Sequence, residues 1–321
     1  MTIAFEPMPG AAEEAASLVA LLECLRQQSY AFTTISPASH ALVNSRPGNQ
    51  TARDIRGVFG WSRPFAPDVV GEALFALMGR ARALEQDGHL WRSRFRVSSL
   101  AGQLFLHSAF PTTQGDAIFF GPDTYRFARA IERHLTRARA RVYRAVDIGS
   151  GSGAGAIMLA QRLPQAEVYG VDINDQALAL AAINGIAAGL FNLYWLHSDL
   201  LQALDGEFDL IISNPPFLVD AAGRAYRHGG GPLGAELSLN IVDTALARLA
   251  PGGSLLLYTG VAVMDGQDLF LREVQARLQD RGWDYEYEEM DPDIFGEELG
   301  NPVYAHADRI AAVVLTVQRP G

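Results

Sequence analysis

From residue 144 onward, short apolar segments alternate with helical ones, and a glycine-rich turn joins the first pair. Apolar strands that are each separated from the next by a helix are typical of a parallel sheet covered by helices on both faces. The pattern therefore predicts an α/β fold whose ligand site lies at the carboxyl ends of the strands. The predicted strands are residues 144–148, 167–172, 192–196, 208–213, 254–258, 283–289 and 310–317. The predicted helices are residues 123–137, 154–163, 176–188, a short one near Leu201, 237–249 and 267–280.

The chain has 321 residues, 49% of them hydrophobic, which is enough for a catalytic domain of about 200 residues and a smaller companion. We predict that residues 1–120 form the smaller, mainly helical domain and that residues 121–321 form the catalytic domain. The predicted elements of the smaller domain are helices at residues 11–29 and 69–85, a mobile loop at residues 36–50, and an antiparallel β-hairpin between residues 91 and 108.

Composition narrows the class of protein. No signal peptide and no apolar run long enough to cross a membrane are visible, and Cys24 is the single cysteine, so we expect a soluble cytoplasmic protein. The seven histidines lack the spacing of metal ligands, and we predict no metal site. A net charge of −10 disfavours extensive wrapping of nucleic acid.

One basic feature nonetheless keeps nucleic acid among the candidate partners. All 26 basic residues are arginine, and several recur at the spacing of one helix face. We expect a solvated helix face more readily than a surface that contacts RNA. The stripe consists of Arg126, Arg129, Arg133 and Arg137, followed by Arg139, Arg141 and Arg144.

The glycine-rich turn, residues 146–155, predicts a nucleotide-like ligand, because glycine lets a ligand touch the backbone. Gly149, Gly151 and Ala154 also satisfy the fingerprint of a dinucleotide site, so a nicotinamide-dependent oxidoreductase is one alternative. Asp147 beside the turn would repel a pyrophosphate, whereas S-adenosylmethionine has no phosphate and carries positive charges. The turn therefore favours S-adenosylmethionine.

Two further aspartates follow predicted strands. Asp172 is placed to accept hydrogen bonds from a ribose diol, and Asp199 from an adenine amino group. Each has an alternative role as the N-cap of a following helix.

The run from Phe208 to Phe217 ends in Asn-Pro-Pro-Phe, and its two prolines remove the backbone donors that a strand needs to continue. The Asn214 side chain and the Pro215 carbonyl would grip an N–H₂ group, while Phe217 offers a face for stacking. The alternative is an ordinary turn at the end of a strand. Four residues of the next loop are expected near the substrate: Arg224, Tyr226, Arg227 and His228.

Residues 121–321 resemble the class I S-adenosylmethionine-dependent methyltransferases of the small-domain group, particularly the release-factor glutamine N5-methyltransferases and relatives that methylate base amino groups. The resemblance rests on residues 146–153, 171–174, 198–199, 214–217 and 251–257. It implies a seven-stranded, mostly parallel, Rossmann-like sheet beside a smaller N-terminal α+β domain. The implied cofactor-binding residues are Asp147, Gly149, Ser150, Gly151, Gly153, Asp172, Ile173, Asp199 and Leu200. The implied catalytic residues are Asn214, Pro215, Pro216 and Phe217.

The resemblance predicts N-methylation of a planar nitrogen, with a protein glutamine, as in a release factor, as the first substrate class. An exocyclic base amine of RNA or DNA remains the alternative, since the glutamine enzymes usually carry tyrosine where this chain has Phe217. A nicotinamide-dependent oxidoreductase and a non-catalytic binding module stay open as other classes. We expect the N-terminal domain to choose the substrate.

Overall fold

The computed structural model describes residues 11–137, 141–220, 223–224 and 226–321, and the chain divides into two compact units. The first unit extends to Thr113 and adds residues 117–123 and 179–191. The second contains residues 114–116, 124–178 and 192–321. A domain boundary at residue 120, as proposed from sequence, would assign residues 179–191 to the catalytic part, whereas here they group with the first unit.

The N-terminal segment combines helices with small antiparallel sheets, as predicted. Its helices are α1 (Ala11–Gln27), α2 (Pro37–Asn44), α3 (Ile55–Phe59) and α4 (Glu72–Arg80), with a 3-10 turn at Pro67–Val69. One hairpin pairs β1 (Leu84–Asp87) with β2 (Leu90–Ser93), and the other pairs β3 (Phe95–Leu100) with β4 (Gln103–Ser108). The second hairpin is the predicted one.

Two predictions for this segment are wrong. The helix predicted to reach residue 85 ends at Arg80, because Arg82 adopts a left-handed backbone with φ of 48° and Leu84 begins a strand. The segment predicted to be a loop at residues 36–50 contains α2, which begins at Pro37. The Ser36 hydroxyl caps it by accepting from the Ser39 N–H at 3.3 Å.

After Pro122, helices and strands alternate as predicted. The helices are α5 (Pro122–Arg137), α6 (Ala154–Arg162), α7 (Asp175–Ala187), α8 (Glu236–Arg248) and α9 (Leu269–Leu278), with 3-10 turns at Gly296–Gly300 and Pro302–Tyr304. The strands are β5 (Arg144–Ile148), β6 (Glu167–Asp172), β7 (Leu193–His197), β8 (Phe208–Ser213), β9 (Leu249–Met264), β10 (Gln267–Asp268), β11 (Asp284–Asp291) and β12 (Arg309–Gln318). The predicted short helix near Leu201 is wrong, since turns occupy this position.

The strands form one sheet in the order β11-β12-β9-β8-β5-β6-β7, with the two-residue β10 paired to β9. Strands β5 to β9 run parallel to one another, whereas β12 pairs antiparallel with both β9 and β11. The mostly parallel α/β sheet is therefore confirmed, with β10 added to the seven expected strands. Because β6 and β8 flank β5 on opposite sides, the strand order reverses at β5, where ligands bind in such sheets.

Apolar burial explains the centre of this sheet. Leu210, Ile211 and Ile212 of β8 are each at most 1% exposed, as befits a strand covered on both faces. Strand β9 is much longer than its predicted span of residues 254–258, since it continues through Gly253. A Cβ on this glycine would lie 2.9 Å from the Phe208 carbonyl oxygen, so the close strand approach requires glycine there.

Candidate active site

The glycine-rich turn follows β5 at the carboxyl edge of the sheet and leaves its backbone open. The Gly149 and Ser150 N–H groups both donate to the Val171 carbonyl, at 2.9 and 3.0 Å, which fixes the turn to the end of β6. Gly149 and Gly151 have φ of 69° and 52°, and no atom lies within 4 Å of the place where either would carry a Cβ. A ligand can therefore approach the backbone of this turn closely.

Asp147 lies beneath the turn and is 2% exposed. Its Oδ2 accepts from the Ala156 N–H in the first turn of α6 at 2.9 Å, and burial raises the pKa of the carboxyl to about 8. Burial therefore disfavours the charged form of this carboxyl, which binds the first turn of α6. The repulsion of a pyrophosphate that the sequence suggested is weakened to the same extent.

Asp172 is the last residue of β6 and binds the backbone of the glycine-rich turn. Its Oδ2 accepts from the Gly151 N–H and its Oδ1 from the Asn174 N–H, both at 2.9 Å. The first turn of α7 is capped instead by the Asn174 side chain, which accepts from the Gln176 N–H at 3.0 Å. Burial raises the pKa of Asp172. Each carboxylate oxygen keeps a further lone pair for a ligand hydroxyl.

The remaining residues expected at the cofactor differ in exposure. Ile173 is 56% exposed, so its apolar side chain is open to a ligand. Asp199 is exposed and accepts from the Gln202 side chain at 3.2 Å, and Leu200 has a left-handed backbone with φ of 51°.

Two further residues expected at the cofactor lie in the glycine-rich turn. The hydroxyl of Ser150 is buried and has no hydrogen-bond partner among the described residues. Gly153, with φ of 81°, occupies the N-cap position of α6.

The acceptor motif, Asn214 to Phe217, begins directly after β8 and is tied to the glycine-rich turn. The Ser213 hydroxyl, fully buried, donates to the Ile148 carbonyl at 2.7 Å, and these two residues are also paired in the sheet. Asn214 is partly exposed, Pro215 is buried and Pro216 is partly exposed. Strands β5 and β8 thus bring the turn and the motif to the same edge of the sheet.

Phe217 is packed against protein rather than open to solvent. Its side chain is 8% exposed, and its ring lies so close to Gly260 that a Cβ there would come within 2.3 Å of it. Its ring centroid is 5.8 Å from that of Phe295, with an interplanar angle of 62°. The open stacking face that the sequence suggested for Phe217 is therefore absent.

The glycines after the motif allow backbone to pack on backbone. A Cβ on Gly229 would lie 2.7 Å from the Pro216 carbonyl oxygen and 2.8 Å from the Phe217 Cα. The Gly229 N–H donates to the Leu218 carbonyl at 2.8 Å. The backbone of this loop packs directly against the backbone of the acceptor motif. The close contact explains why the loop is rich in glycine.

The charged residues of the same loop, which the sequence placed near substrate, are engaged within the protein. Asp220 accepts from the Arg224 Nε at 2.9 Å, and this pairing lowers the pKa of Asp220 to about 2. Arg227 pairs with Glu298, and the His228 Nδ1 accepts from the Asp220 N–H at 3.2 Å. These side chains therefore fix the loop.

The arginine stripe on α5 faces acids of β11. Arg126 pairs with Asp291 at 2.8 Å, Arg133 with Glu288 at 2.8 Å, and Arg137 approaches Glu286 at 3.8 Å. Arg129 is exposed, and Arg139 lies outside the described residues. Three of the four arginines on α5 therefore pair with acids of β11. This pairing weakens the interpretation of the stripe as an RNA-contacting surface.

Neither a metal-binding cluster nor a membrane-spanning helix is found within the described ranges. Among those residues, no group of three or more histidine, cysteine or acidic side chains is arranged to hold a metal ion. In the same part of the chain, no helix has both the length and the apolar character needed to cross a membrane.

Known proteins resemble this chain along most of its length. Residues 128–269 match the family model of the methyltransferase small domain. The chain is 30% identical over 260 residues to the release factor glutamine methyltransferase of Deinococcus radiodurans, with 78% of this chain and 84% of that protein covered. It is 36% identical over 130 residues to the ribosomal protein uL3 glutamine methyltransferase of Neisseria gonorrhoeae, but there only 37% of this chain and 44% of the relative are covered.

Among solved structures, Trm5b from Pyrococcus abyssi shares 15% identity with this chain at a TM-score of 0.49, covering 74% of this chain and 62% of that one. The match to the Deinococcus protein covers well over two thirds of both chains. The chain belongs to the S-adenosylmethionine-dependent methyltransferases with a small methyltransferase domain, the family of the release factor glutamine methyltransferases, and is an enzyme that uses S-adenosylmethionine.

Proposed function

We propose that this enzyme methylates the side-chain amide nitrogen of a glutamine in a protein of the translation machinery. The observation that carries the proposal is the position of Asn214, which directly follows β8, one strand away from the glycine-rich turn. The names of the relatives support the substrate class, because those proteins are glutamine methyltransferases of release factors and of ribosomal protein uL3. A cytoplasmic location belongs to the same proposal.

The residues around the turn fit the cofactor. The lone pairs of Asp172 suit the ribose hydroxyls, the open backbone at Gly149 and Gly151 leaves room for the rest of the molecule, and the exposed Ile173 suits the face of an adenine. The Oδ1 of Asp199 suits the adenine amino group, while its Oδ2 accepts from the Gln202 side chain. S-adenosylmethionine supplies a methyl group activated by its positively charged sulfur.

An amide nitrogen is a weak nucleophile, because its lone pair is delocalised into the carbonyl group. The Asn214 amide has no hydrogen-bond partner among the described residues, so its oxygen is available to one N–H of the acceptor, and the Pro215 carbonyl to the other. These two acceptors orient the nitrogen and stabilise the positive charge that develops on it during transfer. The proton then leaves to solvent. Positioning contributes much of the acceleration in reactions of this kind.

Labelled methyl transfer to purified acceptors tests the proposal. We would incubate the enzyme and methyl-labelled S-adenosylmethionine with a bacterial release factor, with ribosomal protein uL3 and with ribosomal RNA, and locate the label by mass spectrometry. We expect N-methylglutamine in one of the two proteins. Asn214→Ala should lower the turnover at least about a hundredfold, the cost typical of removing one such stabilising group. The exposed Asn240→Ala is the matched control.

Label in RNA and in neither protein would overturn the glutamine assignment and favour the base-amine alternative. Wild-type turnover by Asn214→Ala on the labelled acceptor would overturn the role of the motif. The first unit is proposed to select the acceptor, since the cofactor-binding and catalytic residues named above all lie in the second.

A further inference from the structure

We propose that Phe295 is a further acceptor-binding residue, which lays its ring against the face of the substrate amide. The inference rests on the proposed function and adds a residue to the acceptor site. Neither Asn214 nor Pro215 offers an aromatic face, and Phe217 is 8% exposed. Phe295 is partly exposed and contacts the ring of Phe217, with the two centroids 5.8 Å apart.

The chemistry of the acceptor calls for such a ring. Hydrogen bonds from the N–H groups to Asn214 and Pro215 lie in the amide plane, whereas the lone pair that attacks the methyl group is perpendicular to it. One face of the amide must therefore meet the methyl donor, and the opposite face is left to be covered. An aromatic ring packs well on a planar group and keeps water away from the reacting nitrogen.

The backbone at Phe295 is held in an unfavourable conformation. Its φ of 53° and ψ of 40° lie in the left-handed region, which glycine adopts without cost and bulky residues adopt rarely. Gly296 follows immediately, yet the left-handed position carries the aromatic side chain. Strain of this kind persists where the surrounding structure fixes it, and it occurs frequently at binding sites.

Three contacts anchor the segment that carries Phe295. The Ile294 N–H donates to the Ile310 carbonyl of β12 at 2.8 Å, and Ile294 is 5% exposed. Glu298 pairs with Arg227, and the Tyr304 hydroxyl accepts from the Val219 N–H at 2.9 Å. The last two contacts reach the loop that directly follows the acceptor motif. These contacts therefore hold the segment that carries Phe295 against the loop that follows the acceptor motif.

The test compares Phe295→Ala, Phe295→Tyr and Phe295→Gly with the wild type, using the protein acceptor that the wild type labels. Phe295→Ala should raise the KM for that acceptor roughly three- to tenfold, the range expected for one aromatic contact. Phe295→Tyr should restore it, and the Kd for S-adenosylmethionine should stay within about twofold of wild type in every variant. Tyr143→Ala, which removes a ring that is 59% exposed just before β5 in the second unit, is the control.

Phe295→Gly separates binding from folding. Glycine relieves the left-handed strain, so the Tm should be equal to or above that of Phe295→Ala, while the KM rises as in Phe295→Ala. An unchanged acceptor KM in a folded Phe295→Ala variant would overturn the role of Phe295 and leave the proposed function standing. Label in RNA alone would instead overturn the proposed function, and the amide contact with it.

Discussion

Asp147 and Asp172 lie on neighbouring strands on either side of the glycine-rich turn, yet their surroundings differ. Asp147 receives one backbone N–H and is 2% exposed, whereas Asp172 receives two and borders the open side of the turn. Burial is the main cause of a raised pKa for both carboxyls. Because Asp172 is partly exposed and Asp147 is buried, we propose the ligand-binding role for Asp172 and a structural role for Asp147.

Asp172→Asn should weaken the binding of S-adenosylmethionine about tenfold or more, because a charged acceptor of the ribose hydroxyls becomes a neutral one. Asparagine keeps an acceptor for only one of the two backbone N–H groups, so a melting curve must show that the variant stays folded. Calorimetric titration measures the loss, and Asp175→Ala in the same segment, an exposed residue paired with His197, is the control. Unchanged affinity in Asp172→Asn would refute the ribose contact.

Asp147→Asn should change how stability depends on pH. The folded pKa of about 8 lies above the unfolded value of 3.8, so the folded state binds the extra proton. The resulting stability is fully present below about pH 4 and is lost as the pH rises towards 8. The wild type should therefore lose stability relative to Asp147→Asn across this window, by at most about 1.4 kcal/mol per pH unit. Parallel melting curves for the two proteins in the same buffers would show no such divergence if Asp147 were ionised throughout.

At the scale of elements, α5 and β11 form a complementary pair. Strand β11 is the edge of the sheet and carries a run of acids, and exposed edges invite unwanted pairing with other strands. Arg126 and Arg133 of α5 bind two of those acids, while Arg309 of the adjacent β12 binds a third, Glu289, at 2.8 Å. These charges therefore protect and fix an edge strand.

Arg133→Ala should lower the free energy of unfolding by up to about 1 kcal/mol, the usual value of an exposed ion pair, and leave the acceptor KM unchanged. Arg129→Ala, on the same helix and exposed, is the control and should change neither quantity. Thermal melts and steady-state kinetics measure the two effects. A raised KM in Arg133→Ala with unaltered stability would instead place α5 at the substrate.

The same elements show what the sequence can predict. The bounds of β5, β6 and β8 match their predictions residue for residue, because each is an apolar run followed by residues that end a strand. The Asn-Pro-Pro-Phe motif and Asp172 can be identified as candidate site residues because each lies at the carboxyl end of a predicted strand. Ligands bind at that edge of a parallel sheet. Strand β9 was predicted too short because Gly252 and Gly253 read as a turn, although close strand packing uses Gly253.

Other features depend on contacts that are distant in sequence. The burial of Asp147 follows from the packing of α6, which the pattern of residues 146–155 does not specify. Phe295 is 78 residues from Phe217 and lies in a stretch rich in proline, aspartate and glycine, which reads as an ordinary loop. The role of Ser213 cannot be predicted from its neighbours in sequence, because its hydroxyl donates to a backbone carbonyl 65 residues away.

For the whole molecule, the division into units crosses α7 near its start and also separates the first two residues of α5 from the rest of that helix. The first residues of α7, 175–178, belong to the second unit and come shortly after Asp172, while residues 179–187 belong to the first unit. Within the first unit, Asn184 is 1% exposed and binds the backbone of β4. Its Oδ1 accepts from the Leu106 N–H at 2.8 Å, and its Nδ2 donates to the Leu106 carbonyl at 3.0 Å.

Asn184→Ala tests whether the two units have separate roles. The variant leaves two buried backbone groups of Leu106 unpaired, which should cost about 1–3 kcal/mol each and lower the Tm by several degrees. If the first unit selects the acceptor, the KM for the protein acceptor should rise at temperatures approaching the lowered Tm. The Kd for S-adenosylmethionine should stay near wild type there, because its residues lie in the second unit. Asn240→Ala controls for loss of an exposed asparagine, and an equal weakening of cofactor and acceptor binding in Asn184→Ala would show that the two units act as one.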